Sequence, residues 1–227
     1  MGITFSYMHY VDPFYFYAYA LPRIVRALFH IIINYFIFKA GKQQEDLDSS
    51  RILKNIALIN IVISIVPLAY PVISGTPTYL NELNMMTLYY ILLGLVTSVP
   101  FFITYGILLI IFAKKNAERY NWYVRGAGYS LAVSYGAYTV NLGSYLANIL
   151  LYFISGMSLS IIILTTILGF IYSYASLIGF ILLTVHGFKF KDPNLRNAGI
   201  INIIAFITMY LLNILVIGPA LRIILSS

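Results

Sequence analysis

The chain has 227 residues, 61% of them hydrophobic and only 9% charged, against about half and about a quarter in an ordinary soluble domain. A water-soluble fold cannot cover that much apolar surface, so the composition excludes the soluble classes and points to a membrane-embedded chain. Fourteen Lys and Arg against seven Asp and Glu give a net charge of +7, and in a membrane protein the placement of that charge reports topology first. There is no cysteine, which excludes thiolate metal ligation and thiol chemistry within the chain.

Residues 1–20 interleave aromatic side chains such as Phe5, Tyr7, Tyr15 and Tyr19 with polar groups and lead to Pro22. Rings with polar tips favour the headgroup level, so this stretch reads as an interfacial segment ahead of a six-helix transmembrane domain at 21–227. The first basic residue is Arg23. A cleaved signal peptide is therefore not expected, and the first helix should remain in the mature protein.

A spanning helix needs about 20 apolar residues, and the charged residues divide the chain into segments of that size. Helices are expected at 21–38, 55–74, 86–112, 128–153, 158–185 and 198–221, with Ser155 to Ser158 turning the long uncharged run into two. The fold class is thus an all-α polytopic transmembrane helical bundle of six spans. Eleven of the fourteen basic residues fall in three connections: Lys39, Lys42, Arg51 and Lys54; Lys114, Lys115, Arg119 and Arg125; Lys189, Lys191 and Arg196. The alternate connections carry none, so these turns are expected on the cytoplasmic side of the cell membrane and both termini outside. Arg51, Arg125 and Arg196 recur at roughly seventy residues, the last two opening Arg-x-Ala-Gly helix starts. That interval suggests three tandem two-helix hairpins, although basic inner turns alone would produce a similar spacing.

Proline interrupts the second, third and sixth expected helices at Pro67, Pro71, Pro100 and Pro219, where membranes tolerate a kink if neighbours satisfy the freed carbonyl. No Asp or Glu lies inside any expected span, which argues against proton-coupled transport, cation conduction and metal-dependent intramembrane hydrolysis. The three histidines do not cluster, so no haem or metal site is expected, and no phosphate loop, zinc spacing or nucleophile elbow occurs. The chain is not expected to be an enzyme or to carry a cofactor.

Two polar constellations remain. Arg23, Arg26, His30 and Asn34 fall on one face of the first helix at helical spacing. They read either as snorkelling arginines with a satisfied histidine, or as a site for an anionic or carbonyl-bearing ligand such as a lipid headgroup or quinone. Ser134, Tyr138, Asn141, Tyr145, Asn148 and Tyr152 draw a stripe down the fourth helix. It reads first as a helix-association face and second as the lining of a hydrated conduit.

Abundant Ile and Tyr, the missing Cys, the short basic turns and the Arg-x-Ala-Gly helix starts together resemble uncharacterised multi-pass membrane proteins of thermophilic archaea. The resemblance is compositional and implies no functional residue. On these readings the chain is expected to be a non-catalytic channel or translocation subunit among other membrane subunits and lipids, alone or as an oligomer. Lys42, Arg51, Lys114, Lys115, Arg119, Arg125, Lys189, Lys191 and Arg196 would face an acidic cytoplasmic partner such as an ATPase, or a nucleic acid. The alternatives are a quinone- or lipid-holding subunit of a respiratory complex and a stand-alone secondary transporter.

Overall fold

The computed structural model describes residues 21–73, 80–116, 122–155, 162–212 and 214–215, and these are helical almost throughout. In chain order they form α1 (Leu21–Lys42), α2 (Leu47–Ile73), α3 (Leu80–Phe101), α4 (Trp122–Ser155), α5 (Ile162–Lys189) and α6 (Pro193–Leu212). Beyond Phe101, α3 passes through a π-helical segment at Phe102–Leu108 and resumes as an α-helix at Leu109–Lys115. The interfacial segment expected at 1–20, the turn at 156–158 and Pro219 lie outside the described residues.

The helices overrun the charged residues that mark their expected ends, because Lys and Arg are good helix formers and cations suit a helix C-terminus. α1 closes on Lys39 and Lys42, the α3 continuation on Lys114 and Lys115, and α5 on His186 and Lys189. Helix starts at this basic end carry acids instead. Asp46 caps α2, its carboxylate accepting from the Ser49 amide at 2.9 Å and hydroxyl at 2.6 Å. Those two bonds, the hydroxyl's first, hold the Asp46 carboxyl below its ordinary value. Asp192 caps α6, accepting from the amides of Asn194 and Leu195 at 3.1 Å each. Lys191, with φ of 56°, makes the preceding sharp reversal.

Each helix packs on the next in sequence, and α6 packs back on α1, so the six close into a ring. Polar links tie the basic turns together: Asn194 Nδ2 donates to Gln43 Oε1 at 2.7 Å, Asn116 Nδ2 donates to Ser49 Oγ at 2.7 Å, and Lys115 pairs with Asp48. Fully buried Ile33, Leu53, Tyr105, Phe112, Leu131, Phe180 and Leu195 fill the ring toward this end.

Two of the helix contacts explain the Arg-x-Ala-Gly starts. Ala127 and Ala198 are fully buried, and the following glycines let neighbouring backbones approach. A Cβ on Gly128 would stand 2.7 Å from Ile110 Cγ1, and one on Gly199 would stand 2.6 Å from the Phe180 carbonyl oxygen and closer still to Thr184 Oγ1. The repeated motif is a close-packing device.

Five of these helices, rather than the expected six, are long and apolar enough to cross a membrane: Ile24–Lys42, Leu47–Val66, Ile91–Lys115, Ile163–Lys189 and Pro193–Leu212. α4 has ample length at 34 residues. What keeps it out of that set is the polar stripe itself, since its Ser, Asn, Tyr and Gly residues dilute the apolar ones. The chain is accordingly a multi-pass, all-α bundle with one helix markedly more polar than the rest.

Candidate functional site

Around Pro100 the backbone of α3 departs from regularity, and nearby hydroxyls serve the carbonyls. Thr97 Oγ1 donates to the carbonyls of Leu93 and Gly94, each at 3.0 Å, and Thr104 Oγ1 lies 2.8 Å from the Pro100 oxygen. The π-helical segment that follows buries Thr104, Tyr105 and Gly106. One extra residue per turn re-aims the side chains that follow, and here Tyr105 lies across the middle of the ring.

Tyr105 is the centre of a buried polar and aromatic knot. Its hydroxyl donates to Asn34 Oδ1 of α1 at 2.8 Å, while Asn34 Nδ2 returns to the His30 carbonyl at 2.7 Å. Next to it, Thr104 Oγ1 donates to Asn60 Oδ1 of α2 at 2.6 Å. The Tyr105 ring stacks on Phe101 at 5.8 Å and on Tyr135 of α4 at 5.8 Å, and meets Phe180 of α5 edge-on at 5.9 Å. Four helices therefore converge on one buried phenol.

On the side of the knot away from the basic turns, two cavities open. The first, of about 460 Å³, lies among α1 to α4 and is lined by residues including Ser64, Gly94, Thr97, Phe101, Tyr138, Leu142 and Tyr145. The second, of about 520 Å³, lies among α1, α4, α5 and α6 and is lined by residues including Phe170, Ser173, Ser176, Asn202, Phe206 and Tyr210. Arg26, His30, Tyr135 and Tyr172 line both, forming the ridge between them. No carboxylate lines either cavity among the described residues, so Arg26 faces no counter-charge there. His30 is tilted against Phe101 with ring centroids 5.3 Å apart, and its sealed Nδ1 has no hydrogen-bond partner among the described residues.

The first constellation thus divides. Arg26 and His30 reach the cavities, Asn34 is locked below them in the knot, and the Arg23 side chain lies outside the described part. The α4 stripe divides as well. Ser134 Oγ donates to the Tyr172 carbonyl of α5 at 2.7 Å, and Ser130 repeats the bond one turn away to the Ala175 carbonyl at 2.8 Å. Tyr138 and Tyr145 line the first cavity, with Tyr138 stacked on Tyr172 at 4.8 Å. Asn141 is half-buried with its Oδ1 unpaired among the described residues, Asn148 is half-buried, and the side chain of Tyr152 falls outside them.

At the basic end, Lys42, Arg51, Lys114, Arg125, Lys189 and Lys191 are exposed, whereas Arg196 is half-buried over the Phe188 ring at 5.2 Å. Lys115 is engaged by Asp48, and Arg119 lies outside the described residues. The residues that sequence reasoning missed are Phe101, Tyr105, Tyr135 and Tyr172. Tyr135 stands one position off the stripe, and Tyr105 owes its position to the π segment, which helical periodicity does not anticipate. No protein-family model, curated protein or solved structure matches the chain.

Proposed function

We propose that the protein is a non-catalytic membrane component that holds an amphipathic molecule with an anionic or carbonyl-bearing head, a lipid or a quinone, in the cavities beside Arg26 and His30. In this reading α4 is a sixth span, sheltered by its neighbours, and the helices form three consecutive hairpins. The basic turns face the cytoplasm by the positive-inside rule, so the cavities face the outer leaflet and both termini lie outside.

The observation that carries the reading is the ridge. A cation at membrane depth without a carboxylate is expensive unless water, a headgroup or a ligand answers it. Arg26 is placed for such an answer, because it lines both cavities and no carboxylate lines either among the described residues. Cavities of this size, mostly apolar with few polar groups at one point, suit a small amphiphile. The His30 nitrogen that is unpaired among the described residues adds a donor or acceptor that a rotation of the ring would bring to a ligand carbonyl.

A channel or translocation role, the first expectation from the polar stripe, would require the Tyr105 knot to open, and alternating access by a transporter would require the same. Both remain proposals that need a second conformation. The Tyr105 knot therefore favours the holding role over the conducting one.

Equilibrium binding of a short-chain quinone and of phosphatidylglycerol to the detergent-solubilised protein tests the proposal. Hydrogen bonds to a charged group contribute about 1.5–3 kcal/mol, so Arg26→Ala combined with His30→Ala should weaken the ligand by roughly ten- to a hundredfold. Unchanged affinity for both probes would remove the site.

A further inference from the structure

The second cavity is a slot with a polar closed end. It follows α1 from Arg26 to Ile33, α5 from Phe170 to Ser176 and α6 from Tyr210 back to Asn202, which is roughly 9–12 Å along the bundle at about 1.5 Å per residue. One turn nearer the basic turns on the same helices stand Ile37, Phe180 and Ala198, all buried in the core, so the slot ends at the level of Ile33, Ser176 and Asn202. At its other end Phe170 and Tyr210 line the slot and are nonetheless exposed, which sets the mouth on α5 and α6, away from the basic turns. The closed end offers hydrogen-bonding groups and, among the described residues, no charge. The Asn202 amide and the Ser176 hydroxyl make an inner layer there, and neither bonds another group among the described residues. Ser173 and His30 make a second layer, three residues nearer the mouth than Ser176 and Ile33 and so roughly 4.5 Å away.

An anionic head at the closed end would be buried without a cation beside it, which is costly. A neutral ring with an oxygen on each of two opposite sides meets both polar layers, and the Phe29, Tyr172 and Phe206 rings that wall the slot suit a flat head. We propose that the occupant is a neutral para-quinone, or its quinol, with a single apolar tail, inserted ring-first into the second cavity. One oxygen meets Asn202 and Ser176, the opposite one meets Ser173 and His30, and the tail leaves past Phe170 and Tyr210. This rests on the reading of the cavities as a ligand site and narrows it to one cavity and one head. Amide and hydroxyl groups both donate and accept, so the same residues hold the carbonyls of the quinone and the hydroxyls of the quinol.

The test measures equilibrium binding of four probes to the full chain in detergent: a decyl-tailed benzoquinone, its quinol, decanol and dioleoyl-phosphatidylglycerol. Asn202→Leu and Ser176→Ala alter the inner layer, and Leu93→Trp fills the first cavity alone. The proposal expects each inner-layer change to weaken quinone and quinol alike by roughly three- to tenfold, and Leu93→Trp to leave both unchanged. It expects decanol and the phospholipid to bind at least tenfold more weakly than the quinone. An amide that bonds nothing in the free protein stabilises nothing, so Asn202→Leu should keep or raise the thermal midpoint while it weakens the ligand. Quinone binding that survives both inner-layer changes and is lost in Leu93→Trp overturns the assignment and leaves a ligand site in the first cavity. Decanol or phosphatidylglycerol binding as tightly as the quinone overturns the two-oxygen neutral head. A fall in both midpoint and affinity in Asn202→Leu, with Ser176→Ala unchanged, makes Asn202 a packing residue and also overturns it. If Arg26→Ala combined with His30→Ala weakens none of the four probes, the ligand site itself fails.

Discussion

Asn34 shows how far a single residue's role can be misjudged from spacing. It shares a helical face with Arg26 and His30, yet its side chain is fully buried and spent on Tyr105 and on the His30 carbonyl. Its role is to fix the phenol that closes the ring, and Tyr105 is itself only 1% exposed. Removing that hydroxyl leaves Asn34 Oδ1 short of a donor in a dry interior, at a cost of about 1–3 kcal/mol. Tyr105→Phe should therefore lower the thermal midpoint while leaving the aromatic stacking in place, and Asn34→Ala should add little further loss once the phenol is gone. A Tyr105→Phe protein that melts with the wild type would show that the buried bond has no net value. The polar types on α1 were legible in the sequence; which of them face a cavity and which face a neighbour depends on α3, whose π segment follows from local irregularity after Pro100.

At the scale of the elements, the helices were legible because apolar length and charge placement are strong signals. Their ends were not, since Lys42, Lys114 and Lys189 extend helices that composition alone would stop earlier. The glycines of the two Arg-x-Ala-Gly starts are similarly explained by neighbours rather than by local sequence. Gly199 stands against the Phe180 carbonyl and Thr184, whereas Gly143 on α4 has nothing within 4 Å. Gly199→Ala should force α5 and α6 apart and cost about 1–3 kcal/mol, as overpacking does. Gly143→Ala should be neutral or slightly stabilising through helix propensity. Comparing the two melting midpoints in one detergent checks this, and equal midpoints would contradict the close approach of α5 and α6. The polarity of α4 belongs here too. Ser130 and Ser134 use their hydroxyls on α5, and Thr139 Oγ1 meets Ser98 Oγ of α3 at 3.0 Å, so the stripe is partly an association face and partly a cavity wall.

For the whole molecule, the ring of six helices is filled by apolar and aromatic packing toward the basic turns, and among the described residues it holds two cavities toward the other end. The charge pattern gathers basic residues at one end of the bundle, but the asymmetry of its interior arises from contacts between α1, α3, α4 and α5 that no single segment encodes. The missing cysteines allow a direct test of that asymmetry in sealed vesicles with a membrane-impermeant maleimide. Single cysteines are placed at Tyr145, on the first cavity, and at Thr104, in the buried knot. Tyr145→Cys should be labelled from the side opposite the basic turns, while Thr104→Cys should be unlabelled from either side. Rapid labelling of Thr104→Cys, or labelling of Tyr145→Cys only from the basic side, would contradict a cavity closed at the Tyr105 knot.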